Sequence, residues 1–323
     1  MRLPFVLVVA SVVAVASVVA PACNEYDDSP RVGSTAQGVM RYQALTAAIA
    51  DGFEVDMMQR KTDYFVPGKG IEIPNRKNVA LDADRPQSLI YEFGISKCFI
   101  QECPDAGYVL VGARYTAPAT GPVPELLGQK FSGPVGSPPV YELYSWIKEN
   151  PNGKYAPTHP NLYAPAWWPE HFSVWRALAD KYPTPDAAKA DGYQFMFAER
   201  PDGTLANCVF DRIARRRPGA MGYHWQKTEL ISEDPASVKE VAPPGLLYFQ
   251  KEDQTWILGG VEYLLWAARQ PTPTIYGELF DGPMAGHQAT VPEHFDLHSY
   301  PGYLNPDGVF SSWNMAAKCP LSK

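Results

Sequence analysis

Six polar residues in the second half of the chain have the types and spacing of a metal centre: His224, Glu262, His287, His294, Asp296 and His298. Imidazole nitrogen and carboxylate oxygen are ligands for Zn, Fe, Mn or Cu, and such a set needs no cysteine. Spacing decides how the six could cooperate. If 293–299 is a strand, His294, Asp296 and His298 point to one face while Phe295 and Leu297 point to the core. Neighbours two apart can then share an ion, whereas His294 and His298, about 13 Å apart along the strand, do not. If a helical turn starts at Pro292, His294 and His298 become i, i+4 neighbours and both can ligate. The Phe-Asp-Leu-His alternation favours the strand. His224 and Glu262, each in a strand-like block, would complete the shell from other elements. Asp296 would orient a histidine or act as a base. The competing role for each residue is that of a hydrogen-bonded side chain with no ion, and it is strongest for His287 in a Gly- and Pro-rich loop. His159 and His171 are assigned to the surface or to a connector.

The elements that must position these residues occur twice. Ala50-Asp51-Gly52-Phe53 recurs as Ala190-Asp191-Gly192-Tyr193, and Ser88-Leu89-Ile90-Tyr91 as Gly245-Leu246-Leu247-Tyr248. Tyr108 to Tyr115 matches Trp256 to Tyr263, and Asn150-Pro151-Asn152-Gly153 matches Asn305-Pro306-Asp307-Gly308. Further blocks fall in the same order, as a duplication requires. The expected architecture is α+β: two tandem copies of one unit, each a short N-terminal helix followed by a mainly antiparallel sheet. The boundaries read as a signal peptide at 1–22, a flexible tether at 23–33, and a first unit at 34–160. A Pro- and Trp-rich connector at 161–185 follows, helical around Phe172 to Lys181, and then a second unit at 186–320. Between the copies, Gly, Pro, Tyr and Leu persist but the histidines do not. His224 aligns with Glu72, Glu262 with Arg114, Asp296 with Glu142, His298 with Tyr144 and His294 with Val140. A site that only one copy needs has this signature. In the first copy, Glu72 and Glu142 are expected to pair with Arg114, a fixed guanidinium in place of an ion.

Residues 1–22 combine Arg2, a Val- and Ala-rich apolar stretch and Ala20-Pro21-Ala22, the pattern of an export signal. The stretch from Phe5 to Ala20 is shorter than the roughly 20 residues a bilayer span needs. Cys23 follows the cleavage site, so a lipid on Cys23 is the only membrane attachment expected. The other four cysteines are assigned as Cys98–Cys103 and Cys208–Cys319, among three connectivities, because each pair then stays inside one unit. The 323 residues are 46% hydrophobic and 20% charged, a globular composition. A net charge of −7 argues against nucleic-acid binding. Arg212 and Arg215 to Arg217 read as a solvated basic loop, and Trp167, Trp168 and Trp175 as cover between the units. Without Gly-x-Ser-x-Gly, a phosphate-cradling glycine loop or Cys-x-x-Cys, nothing supports an α/β-hydrolase, P-loop or thiol-redox enzyme.

Several motifs of the second unit act in combination. They are Met221-Gly222-Tyr223-His224, Gly260-Val261-Glu262-Tyr263, Gly282-Pro283-Met284 with Gly286-His287, and Pro292-Glu293-His294-Phe295-Asp296-Leu297-His298. Asn305-Pro306 through Trp313-Asn314, with Cys319, completes the set. In this combination the chain resembles a family of exported, mostly bacterial proteins of uncharacterised activity, chiefly over residues 186–320. The resemblance implies export, a compact unit and the polar site. It implies no reaction, and the tandem arrangement departs from the family's single unit. The expected function is a secreted or surface-tethered metalloprotein, a hydrolase or an oxygenase acting on an unidentified small molecule. The alternative is a non-catalytic extracellular protein that binds a small polar ligand or glycan.

Overall fold

The computed structural model describes residues 37–55, 63–94, 107–196, 208–210, 219–251, 253–267, 271–285 and 292–319. The expected export signal and tether, Cys23, Cys98, Cys103, His287 and the Arg212–Arg217 run lie outside the described residues. Those described belong to one compact unit, Val32–Lys323.

The molecule is mostly β, 35% strand and 15% helical, with four helices among the described residues, which corrects the expected α+β class. The reason lies in helix length. The opening helices α1 (Gln37–Met40), α2 (Leu45–Ala50) and α4 (Pro185–Ala190) have only 4, 6 and 6 residues. Segments this short gain little from their own hydrogen bonds and persist by packing as caps on the sheets. Gly52 and Gly192, at φ 89° and 93°, follow α2 and α4 in the left-handed conformation that ends helices. Only α3 (Trp168–Lys181) is long, with 14 residues.

The first sheet draws on β1 (Phe65–Val66), β2 (Gly70–Pro74), β3 (Ser88–Phe93), β4 (Tyr108–Pro118), β7 (Ser132–Val135) and β8 (Val140–Trp146), with β5 (Glu125–Leu126) and β6 (Gln129–Lys130) forming a separate hairpin. Its order is β1-β2-β3-β4-β8-β7. The second draws on β9 (Gln194–Phe195), β10 (Val209–Phe210), β11 (Ala220–Gln226), β12 (Gly245–Gln250), β13 (Trp256–Trp266), β16 (Asp281–Met284) and β17 (His294–Ser299), with β14 (Thr274–Ile275) and β15 (Glu278–Leu279) as its hairpin. Its order is β10-β11-β12-β13-β17-β16, and β9 pairs with β11. The two sheets therefore follow the same antiparallel path. Both shift register at the same place, after Ile90 in β3 and after Leu247 in β12. Both carry a cis Gly-Pro bond in the strand before the last, Gly133-Pro134 and Gly282-Pro283.

Strand alternation gives each sheet a core-facing apolar side and an outer side of mixed character. One face of each enters a shared core that includes Leu89, Tyr91 and Tyr115 from the first sheet and Leu246, Tyr248, Tyr263 and Leu297 from the second. Helix α3 supplies Trp168, Phe172, Trp175 and Leu178 to this core at i, i+4, i+7 and i+10, one stripe of a helix. The outer faces have smaller clusters: Ile90, Val111, Tyr144 and Trp146 on the first sheet, and Ala220, Leu247, Phe249, Tyr300 and Ala317 on the second. Cys208 and Cys319 form a disulfide that ties the start of β10 to the C-terminal segment across 111 residues.

Two histidines expected on the surface or in the connector are fully buried: His159, and His171, which does lie in the connector. His159 stands edge-on to Trp146. His171, on α3, packs against Trp167, Tyr276 and Phe310, with its Nε2 2.7 Å from Ser299 Oγ. An imidazole with aromatic neighbours and one hydrogen bond is amphipathic enough to enter a core.

Candidate metal centre

Residues 294–299 form a strand, not a helical turn, so His294, Asp296 and His298 share the outer face while Phe295 and Leu297 enter the core. Register then selects which residues meet. Gln226 lies opposite Gly245, Gly245 opposite Glu262, and Glu262 opposite His298. His224, two residues before Gln226 on β11, lies one row over. Four strands thus bring His224, Glu262 and His298 to one place on the outer face.

One ligand atom from each of the three lies within 4.8 Å of the others, and all three residues are buried. His224 Nε2 is 3.3 Å from His298 Nε2, and His298 Nε2 is 3.7 Å from Glu262 Oε1. Metal bonds of about 2.0–2.2 Å in a tetrahedron place ligand atoms about 3.4 Å apart, so these spacings suit a shared ion. The group His224, Glu262 and His298 could hold a metal ion.

Space for the Glu262 side chain comes from Gly245. A Cβ there would sit 2.5 Å from Glu262 Oε2 and 2.7 Å from its Cβ. Gln226 Nε2, reaching across Gly245, donates a 3.2 Å hydrogen bond to Glu262 Oε2 and fixes the carboxyl. Burial, then the nearby Asp296 charge, pushes the Glu262 carboxyl up to about 8, and the Gln226 bond opposes this. A divalent cation would reverse that preference and favour the carboxylate.

The remaining candidates divide. Asp296 Oδ2 is 4.0 Å from His298 Nδ1 and 4.0 Å from His294 Nε2, so it borders the three-residue group without joining it. His294 opposes Trp266 at the far end of β13, and its Nδ1 is 3.1 Å from the Pro292 carbonyl. It lies outside the group, as the strand spacing predicts. No motif or spacing in the sequence marks Gln226 or Gly245 as part of the site. The alignment of Gly245 with Ser88 was the one available signal, because it marks a small residue beside the site in both halves.

The first sheet presents the same positions with other chemistry. Arg114, in the place of Glu262, donates from Nη1 to Glu72 Oε1 at 2.8 Å and from Nε to Glu142 Oε2 at 3.1 Å. Ser88 Oγ donates to Glu72 Oε1 at 2.7 Å. Tyr144, in the place of His298, lies 3.4 Å from Glu142 Oε2 and accepts from Lys69 Nζ at 3.2 Å. A guanidinium between two carboxylates therefore occupies the position where the second sheet gathers two imidazoles and a carboxyl.

Three protein ligands leave at least one coordination position. With zinc bound, such an arrangement would lower the pKa of a coordinated water to about 7, and with iron bound, two histidines and a carboxylate would leave room for dioxygen. No family model matches this chain, and no curated protein or solved structure matches it either.

Proposed function

We propose that the protein is an exported metalloenzyme, a hydrolase or an oxygenase, whose second sheet binds one divalent ion through His224, Glu262 and His298. The observation that carries this reading is the convergence of three buried ligand atoms from three strands within 4.8 Å. Zinc and iron suit two imidazoles and one carboxylate, with manganese and copper next. Export agrees with the leader-like first 22 residues and with the Cys208–Cys319 disulfide, since such bonds persist in oxidising compartments. No helix among the described residues is long and apolar enough to cross a membrane. The two halves are read as tandem copies of one unit, supported by their common strand order, register shift and cis Gly-Pro bond. The motif resemblance to exported, mostly bacterial proteins agrees with this reading.

Burial favours one alternative. His224, Glu262 and His298 are 3%, 4% and 1% exposed, as in a buried cluster that serves binding or structure and not turnover. Calorimetric titration of metal-stripped protein with Zn2+, and with Fe2+ under anaerobic conditions, tests the metal reading. One site per chain is expected, and it should be lost in the double variant His224→Ala/His298→Ala. Equal binding by the variant would refute the ligand assignment.

A further inference from the structure

Asp296 precedes His298 by two residues, as Glu142 precedes Tyr144, and the two strands keep the same register against their partners. In the first sheet the longer acid reaches the cation itself: Glu142 Oε2 lies 3.0 Å from Arg114 Nη2. Asp296 is one methylene shorter. Its Oδ2 stops 4.0 Å from His298 Nδ1, at the ring edge opposite the Nε2 that faces His224 and Glu262. His294 Nε2, also at 4.0 Å, flanks the same oxygen from the other side. Both Asp296 and His294 are buried, so this carboxylate works in a low-dielectric setting where its orientation matters.

We propose that Asp296 is the positioning residue of the metal centre and that its short side chain keeps a coordination position open. At 4.0 Å the carboxylate is too far from His298 Nδ1 for a hydrogen bond as it stands. A shift of about 1 Å would let it hold the Nδ1–H, which leaves the Nε2 lone pair for the ion. A glutamate at 296 would extend past the ring edge into the cluster, as Glu142 does, and would fill the position that water or an anionic substrate needs. This inference rests on the metal reading and adds to it which group controls access to the ion.

Cobalt(II) is the probe, used on the full mature chain as the wild type, Asp296→Asn and Asp296→Glu, with folding checked by circular dichroism. The wild type is expected to bind one Co2+ and to change its visible spectrum when azide is added. Asp296→Asn should lower Co2+ affinity about 10- to 100-fold and keep the azide response. Asp296→Glu should bind Co2+ at least as tightly, with a weaker visible band, as higher coordination numbers give, and no azide response. An azide response in Asp296→Glu equal to that of the wild type overturns the proposal. Wild-type affinity in Asp296→Asn overturns it as well, and that variant decides alone if the longer side chain prevents folding. A wild type that takes up no Co2+ is a different failure, that of the metal reading itself.

Discussion

Gly245 is as necessary to the centre as the ligands it stands between. It is the second sheet's counterpart of Ser88, and its missing side chain is the space in which Glu262 lies. Gly245→Ala should therefore cost about 1–3 kcal/mol of stability through overpacking and should abolish metal binding. Thermal melts and a zinc titration check both effects, and a variant that binds zinc normally would contradict the geometry. The first sheet offers a matching test. Arg114→Met leaves Glu72 and Glu142 facing each other without their cation. Because Arg114 and Glu72 are partly exposed, the expected loss is only about 1–3 kcal/mol. The further change of Glu142 to Gln should recover part of it in denaturant melts. At this scale much was legible in the sequence, because comparing the two halves separates residues that serve the fold from residues that serve a site. Gln226 was not, since its contact with Glu262 crosses β12 and depends on a register that no single segment encodes.

Among the elements, α3 shows what the sequence concealed. A helical piece was readable there, and so were its tryptophans as cover between the halves, but the burial of His171 among them was not, because a Pro- and Trp-rich segment between two similar halves reads as a linker. Apolar spacing gives a helix its buried stripe, yet only the partner elements determine that His171 belongs to it. The same ambiguity produced the wrong fold class. Ala-rich stretches signal helices without stating that they stop after one or two turns. Burial of His171 on α3 has a measurable consequence. It lowers the imidazole pKa to about 3, so the native protein resists a proton that the unfolded chain accepts below about 6.5. Between these values the unfolded state binds more protons, and stability falls as pH falls, by up to about 1.4 kcal/mol per pH unit from this group. His171→Gln should flatten the loss of stability between pH 6 and pH 4 in urea melts. An unchanged slope would place the acid sensitivity in other groups.

Across the whole molecule, two sheets of one topology share a core, and the C-terminal segment lies over the outer face of the second. That segment is held by packing of Tyr300 and Ala317 and by the disulfide between Cys208 and Cys319. Its Ser311 donates its backbone N–H to the carbonyl of His298, so the cover and the centre share a strand. Replacing both cysteines by serine should cost about 2–5 kcal/mol, as expected for a crosslink closing a loop of this length. Differential scanning calorimetry would show the lower melting temperature, and an unchanged one would mean that packing alone holds the segment. One half of this molecule keeps a built-in cation, Arg114, and the other has the side chains proposed to recruit one. Elemental mass spectrometry of the protein, purified without added metals or chelators, decides whether it does. One zinc, iron, manganese or copper ion per chain is expected in the wild type and none in His224→Ala/His298→Ala. A folded wild-type protein with no bound metal after incubation with each of these ions would contradict this expectation.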